Sequence, residues 1–291
     1  MPAPVRICGA LGADPIPLSV RQARAFLKER LGAPEKKAQT ISPEPEREDK
    51  PVLSCREVWM RYKTEQPDVL RGAELRLYEG ERLCLLGGNG VGKTTLLSCL
   101  VGAVKPQRGK IRLAKNRRLA MLPQRPQALF TQDTVLSDLL EVGQEADALR
   151  WAEELELTAL LERHPFDLSG GELQRAALCK LLLRKADVLL LDEPTKGLDA
   201  YAKAELGAIL KALSQSGVSI LIVTHDLDFA AEYADRCAMM FDGRVVSSDE
   251  PHRFFAGNRY YTTDANRIAG DWLPSAITCE EVISGAKERG T

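Results

Sequence analysis

No run of apolar residues in this chain approaches the roughly twenty needed to cross a bilayer as a helix, because charged residues break every long hydrophobic stretch. A membrane-spanning segment is therefore not expected. The first residues place Pro2, Pro4 and Arg6 where a secretory signal needs an uninterrupted apolar core. Net charge nearly cancels: 40 Lys and Arg against 41 Asp and Glu give −1. Bulk electrostatics offer no pull toward a polyanion, so no nucleic-acid partner is expected. The seven cysteines contain no C-x-x-C pair. That spacing argues against a zinc site and against a disulfide framework, and it fits a reducing compartment. Several of these cysteines sit in apolar runs and read as small core residues. No internal repeat is visible. What remains is an ordinary globular composition, 44% hydrophobic over 291 residues, enough for one or two domains.

Against that background, Gly87–Thr94 reads GGNGVGKT. This is a phosphate-binding loop of the G-x-x-x-x-G-K-[ST] type. Gly87, Gly90 and Gly92 permit backbone angles that let successive N–H groups face one anion. An apolar run suited to a buried strand, Arg82–Leu86, precedes the loop, and a helix-compatible run, Thr95–Val101, follows it. Lys93 should lie against the β- and γ-phosphates, and the Thr94 hydroxyl should hold Mg²⁺. Further on, Leu168–Glu172 reads LSGGE, a glycine turn able to open a helix and bind phosphate through its backbone.

A second apolar run, Val188–Leu191, ends in Asp192 and Glu193. A strand apolar along its whole length is buried on both faces, as parallel strands are. Asp192 is placed to bind Mg²⁺, and Glu193 to polarise the water that attacks the γ-phosphate. Gln124 follows a strand expected at Arg118–Leu122 and could reach metal and water. His225 follows a strand at Ser219–Val223 and could bond the γ-phosphate, although a lone histidine is more often structural. Asp199, in GLD, lies just beyond the acidic pair.

The order GGNGVGKT, LPQ, LSGGE, LLLDEP, GLD, TH resembles the ATP-binding subunit of an ABC transporter over residues 52–250. The resemblance implies an α/β fold, with a P-loop (RecA-like) nucleotide-binding core on a mixed or parallel sheet and a helical signature-motif subdomain at 125–168. It implies that ATP is held by Tyr62, stacked on adenine, and by Gly87, Gly88, Asn89, Gly90, Val91, Gly92, Lys93, Thr94 and Thr95. Ser169, Gly170 and Gly171 would contact the γ-phosphate of ATP bound to the opposite domain. Mg²⁺ would fall to Thr94, Gln124 and Asp192. Glu193 would be the catalytic carboxylate and His225 the switch histidine, with Gln124 and Lys93 completing the catalytic set. Two departures stand out. Glu172 replaces the more usual glutamine, and Gly88 occupies a position where proline, arginine or glutamate is commoner.

Residues 51–250 are thus expected to form the ATPase domain, flanked by an extension and linker at 1–50 and a C-terminal extension at 251–291. Ser19 can cap a helix with Val20, Ala23, Leu27 and Leu31 on one side, and 32–51, rich in proline and charge, reads as a linker. Leu136, Leu139, Leu140, Trp151, Leu155 and Leu160 are the expected apolar anchors of the helical insertion. The aromatics Phe254, Phe255, Tyr260 and Tyr261 need a covering surface, either their own domain or another ATPase subunit. The tail, the stretch RHPFDLSGGE and the PIPLSVRQARAFL segment are similar to energy-coupling-factor (ECF) transporter ATPases, particularly the second half of fused forms with two ATPase domains.

That likeness implies a peripheral subunit on the cytoplasmic side of the membrane. It would hydrolyse ATP to drive uptake of a vitamin, related micronutrient or metal ion. Its partners would be a second ATPase domain, identical or different, and a multispanning membrane protein. The alternative is an ABC ATPase acting on nucleic acid or ribosomes. The short insertion between phosphate loop and signature, and the single ATPase half, speak against it.

Overall fold

The computed structural model describes residues 1–33, 49–256 and 261–289. Most of the stretch read as a linker, 34–48, and Tyr260 lie outside the described residues. Along the chain, α1 (Ala3–Ala10) and α2 (Val20–Leu31) come first. Then follow β1 (Leu53–Met60), β2 (Leu70–Leu77), β3 (Arg82–Leu86), α3 (Lys93–Leu100), β4 (Arg108–Leu113) and β5 (Leu119–Leu122). The middle holds α4 (Val135–Leu140), α5 (Glu145–Glu154), α6 (Gly170–Leu183), β6 (Val188–Asp192), α7 (Ala200–Gln215) and β7 (Ser219–Val223). The chain ends with α8 (Leu227–Tyr233), β8 (Arg236–Phe241), β9 (Arg244–Asp249), α9 (Pro251–Ala256), α10 (Asp264–Ala269) and α11 (Cys279–Arg289).

The chain separates into two compact units, one of 48–225 with 238–247 and one of 1–47, 226–237 and 248–291. In the first, a six-stranded sheet runs β5-β6-β7-β3-β8-β9, and an antiparallel three-stranded sheet runs β2-β1-β4. Within the larger sheet β5, β6, β7 and β3 are mutually parallel. This is the α/β P-loop core with a mixed sheet. Every residue of β6 and of β7 is buried, and each fully buried leucine contributes about 2 kcal/mol. Leu83, Leu85, Leu96, Leu97, Leu190 and Leu221 share one hydrophobic cluster, so α3 packs on the sheet face beneath the phosphate loop.

The other unit has its own core. Ile7, Leu27, Ile268, Trp272 and Val282 meet in a second cluster, drawn from both ends of the sequence. Ser19 caps α2 by accepting from the Gln22 N–H, and Ala23 and Leu27 are its buried residues. The Trp272 indole donates to the Gly32 carbonyl at 2.8 Å, so the apolar seam is closed by a polar tie. Phe254 and Phe255 are buried and pack edge to face, which covers these two rings within the chain.

The helical insertion differs from its expected pattern in one place. Leu139, Leu155 and Leu160 are buried, but Leu140 is exposed, and Asp138 takes a fully buried position on α4 instead. The reason is Lys180 on α6, itself buried. Its ammonium donates to Asp138 at 2.5 Å and to the Leu129 carbonyl at 2.8 Å. Asp138 also accepts the Thr131 and Gln132 N–H groups. One ion pair thus ties the segment after Gln124 to the helix that begins at the signature turn. Removing one member of a buried pair strands the other charge. Lys180→Ala should therefore cost about 3 kcal/mol, on the scale of broken buried pairs. Urea denaturation with helical ellipticity as the signal checks this; an unchanged midpoint would show that the pair is dispensable.

Candidate nucleotide site

The strand order decides what can meet. In a parallel set every carboxyl end lies on one edge, where open α/β sheets bind ligands. Here the edge gathers the loop after β3, the acids ending β6, His225 after β7 and Gln124 after β5. The register pairs Asp192 with Val223 and Leu85 with Val223. Residues distant in sequence therefore become neighbours through backbone pairing alone.

The phosphate loop curls as its glycines require. A Cβ at Gly87 would sit 2.5 Å from the Met240 carbonyl oxygen. Gly92 has φ +107°, and a Cβ there would press on Leu70, Val69 and Met240. Gly88 is exposed, is not left-handed, and a Cβ there would meet Val91 at an ordinary 3.8 Å, so the position does not demand glycine. The buried Lys93 ammonium donates to the Gly87 and Gly88 carbonyls at 2.8 and 2.9 Å. Thr94 is exposed at the start of α3, and its hydroxyl donates to Asp192 at 3.3 Å. The Tyr62 hydroxyl lies 3.0 Å from that of Thr95, and the tyrosine itself is 57% exposed.

Asp192 and Glu193 are both buried. Burial raises the Asp192 carboxyl above its ordinary range, only partly opposed by the Thr94 hydroxyl. Burial also lowers Lys93, opposed by the charges of Glu193 and Asp192. Glu193 adopts φ +51°, a left-handed conformation rare outside glycine. Its N–H donates to the Val223 carbonyl at 2.8 Å, and its Oε2 lies 2.7 Å from His225 Nδ1. Backbone strain of this kind concentrates at functional positions. Two contacts with no conspicuous sequence signal support the turn. Gln174 on α6 donates to the Pro194 carbonyl at 2.8 Å, and the Thr195 and Thr224 hydroxyls lie 3.4 Å apart. Gln174 and Lys180 are the two polar side chains on the otherwise apolar buried face of α6.

The signature turn is built differently. Ser169 and Gly170 are exposed, and Ser169 caps α6 in a reciprocal box with Glu172. The Ser169 N–H donates to the Glu172 carboxylate at 2.8 Å, and this bond lowers the Glu172 carboxyl's pKa. Glutamate at this position thus has a local structural use. Asp199 caps α7 through the Ala202 N–H at 2.8 Å. Lys93, Thr94, Asp192, Glu193 and His225 form one connected set. Gln124 stands exposed beyond β5; Ser169 and Gly170 are exposed, and Gly171 is half-buried against Ala202.

Comparison with known proteins identifies the family and the fold. The family model described as ABC transporter matches residues 70–196. An ABC transporter ATP-binding protein of Bacillus anthracis is 38% identical across 94% of this chain and 53% of its own length. The chain spans about half the length of the first such relatives. A Pyrococcus horikoshii ABC transporter ATP-binding protein is 33% identical over 70% of this chain and 85% of its own. An HMP/thiamine import ATP-binding protein of Bacillus subtilis is 33% identical over 66% of this chain and 38% of its own. Among solved structures, cbiO1 from Clostridium perfringens, part of the ABC transporter complex cbiONQ, superposes with TM-score 0.67 at 26% identity. That match covers 78% of this chain and 97% of the other. The chain belongs to the family of ABC transporter ATP-binding proteins.

Proposed function

We propose that this chain binds and hydrolyses ATP as one half of a paired ATPase that powers an importer of the energy-coupling-factor type. The observation that carries the reading is the strained, buried Glu193, hydrogen-bonded to His225, beside an Asp192–Thr94 contact at the mouth of the phosphate loop. A hydroxyl and a carboxylate oxygen meeting there form the hard-oxygen donor set that suits Mg²⁺. Thr94 and Asp192 would hold the ion, with Gln124 arriving from the next strand. Bound with the nucleotide, Mg²⁺ neutralises charge on the β- and γ-phosphates.

The chain's own groups account for the rest. Lys93 now satisfies itself on two loop carbonyls and can donate instead to phosphate oxygens. Glu193 orients a water and accepts its proton as the water oxygen attacks the γ-phosphorus. The bond to the β,γ-bridging oxygen breaks, releasing ADP and phosphate. The Ser169–Gly171 turn, exposed at Ser169 and Gly170, suits a γ-phosphate held by a second ATPase domain, and Tyr62 is exposed enough to stack on adenine. ATP would then join two domains, and hydrolysis would part them.

Transport needs a further chain, since no helix among the described residues is long and apolar enough to cross a membrane. That chain would be a multispanning protein docked on the helical insertion from the cytoplasmic side. The cbiONQ and thiamine-type relatives favour import of a vitamin, related micronutrient or metal ion.

Glu193→Gln should keep ATP affinity within about twofold while lowering turnover about a thousandfold, the scale of lost general-base and electrostatic assistance. It should also accumulate an ATP-dependent pair on size exclusion; an unaltered monomer with undiminished turnover would overturn the assignment. Asp192→Asn should abolish stimulation by added magnesium yet leave nucleotide binding detectable in EDTA, measured by fluorescent ATP titration. Retained magnesium stimulation would remove Asp192 from the metal site. Co-expression with the membrane protein of its own operon should bring both down together in detergent; repeated failure to do so would count against the transport role.

A further inference from the structure

The signature turn Ser169–Gly171, which meets a partner in the proposed sandwich, lies against the turn ending at the exposed Asp199. Each is capped within its own helix, so neither cap holds one turn to the other. Where they touch, the packing is close. A Cβ at Gly171 would lie 3.2 Å from the Ala202 Cβ, and one at Gly170 would lie 3.6 Å from Leu198. Small-residue packing of this kind sets distance but leaves two helices free to slide.

A polar tie lies just behind. Arg175 occupies the sixth position of α6 (Gly170–Leu183), and Glu205 the sixth of α7 (Ala200–Gln215). Arg175 Nη1 donates to Glu205 Oε2 at 2.7 Å, with the side chains only 15% and 21% exposed. Glu205 also lies one helical turn from Tyr201 on α7. Tyr201 is 73% exposed, two residues past Asp199. The Arg175 Nε is buried without a hydrogen-bond partner. The guanidinium therefore uses one edge of its donor fork and keeps another in reserve, which a lysine could not do.

We infer that Glu205 is a positioning residue. Through Arg175 it locks the signature helix to α7, one turn along from Tyr201, an exposed aromatic side chain near the start of that helix. The two turns then meet a second ATPase domain as one rigid body, with Tyr201 as an anchor of the kind that dominates protein interfaces. This inference rests on the proposed pairing of ATPase domains.

The test uses the full chain carrying Glu193→Gln as parent, with ATP and magnesium. Adding Glu205→Ala should weaken ATP-dependent pairing about tenfold, the scale of a lost contact pair, by sedimentation velocity. ATP affinity at concentrations below pairing should stay within about twofold, since neither residue touches the phosphate loop. The swap Arg175→Glu with Glu205→Arg should recover most of the pairing, and Tyr201→Ala should weaken it without altering ATP affinity. Undiminished pairing in Glu205→Ala, or pairing and ATP affinity falling in parallel without recovery in the swap, would overturn the role given to Glu205. Absence of pairing in the parent itself would overturn the sandwich reading and carry this inference with it.

Discussion

Two carboxylates buried at the end of one strand are the constraint from which the site's construction follows. Asp192 and Glu193 are both buried, and the Glu193 charge adds to the cost of ionising Asp192. The cation available inside the chain is Lys93, also buried and coupled electrostatically to both acids. Burial acts in opposite directions on the two kinds of group, lifting Asp192 and depressing Lys93. Both displacements are relieved by one event. A polyphosphate stabilises the ammonium, and a divalent ion stabilises the carboxylate. Burial thus leaves both groups short of a counter-charge, and under the proposed function a magnesium nucleotide would supply both together.

Glu193 needs more than charge balance. Its left-handed backbone costs of order 1 kcal/mol or more, a cost that persists only where surroundings over-determine the turn. Here the Val223 carbonyl fixes its N–H, Gln174 fixes the next carbonyl, and two threonine hydroxyls lie together below. Gln174 is the telling member because it belongs to the helix begun by the signature. The same helix carries Lys180, which reaches the segment following Gln124. A displacement of α6 thus acts on the acidic turn at one point and on the insertion at another. Under the proposed function, α6 and these side-chain bonds would link the acidic turn to the surface where a membrane partner would dock.

The core elements were legible because their signals are local. The apolar runs at 82–86, 188–191 and 219–223 are short and bounded by turn residues, and the strands fall there. Ser19 and the spacing of Ala23 and Leu27 marked α2 just as locally. What the sequence concealed was pairing across distance. Nothing near Asp138 announces that Lys180 will occupy the interior with it, so Leu140 looked like the better anchor. Nothing in the first thirty or so residues says that Ile7 and Leu27 share a core with Trp272 and Val282. Within the site, residue types at motif spacings named the candidates. The Glu193–His225 bond and the reciprocal cap of Ser169 and Glu172 needed coordinates.

That Glu193–His225 bond has a chemical consequence under the proposed function. An ionised carboxylate only accepts, so the proton between them belongs to His225 Nδ1. In the neutral ring Nε2 is then an acceptor, with a lone pair directed away from Glu193. Such a nitrogen repels a phosphate oxygen. For His225 to donate to a γ-phosphate, the ring must either gain a second proton or move its single proton to Nε2. The first course keeps the Glu193 oxygen occupied by the ring N–H. The second dissolves the Glu193 bond and returns a full lone pair to the carboxylate. Arrival of the γ-phosphate and release of the general base thereby become one event, in a side chain that is 58% exposed and free to turn while Glu193 stays fixed.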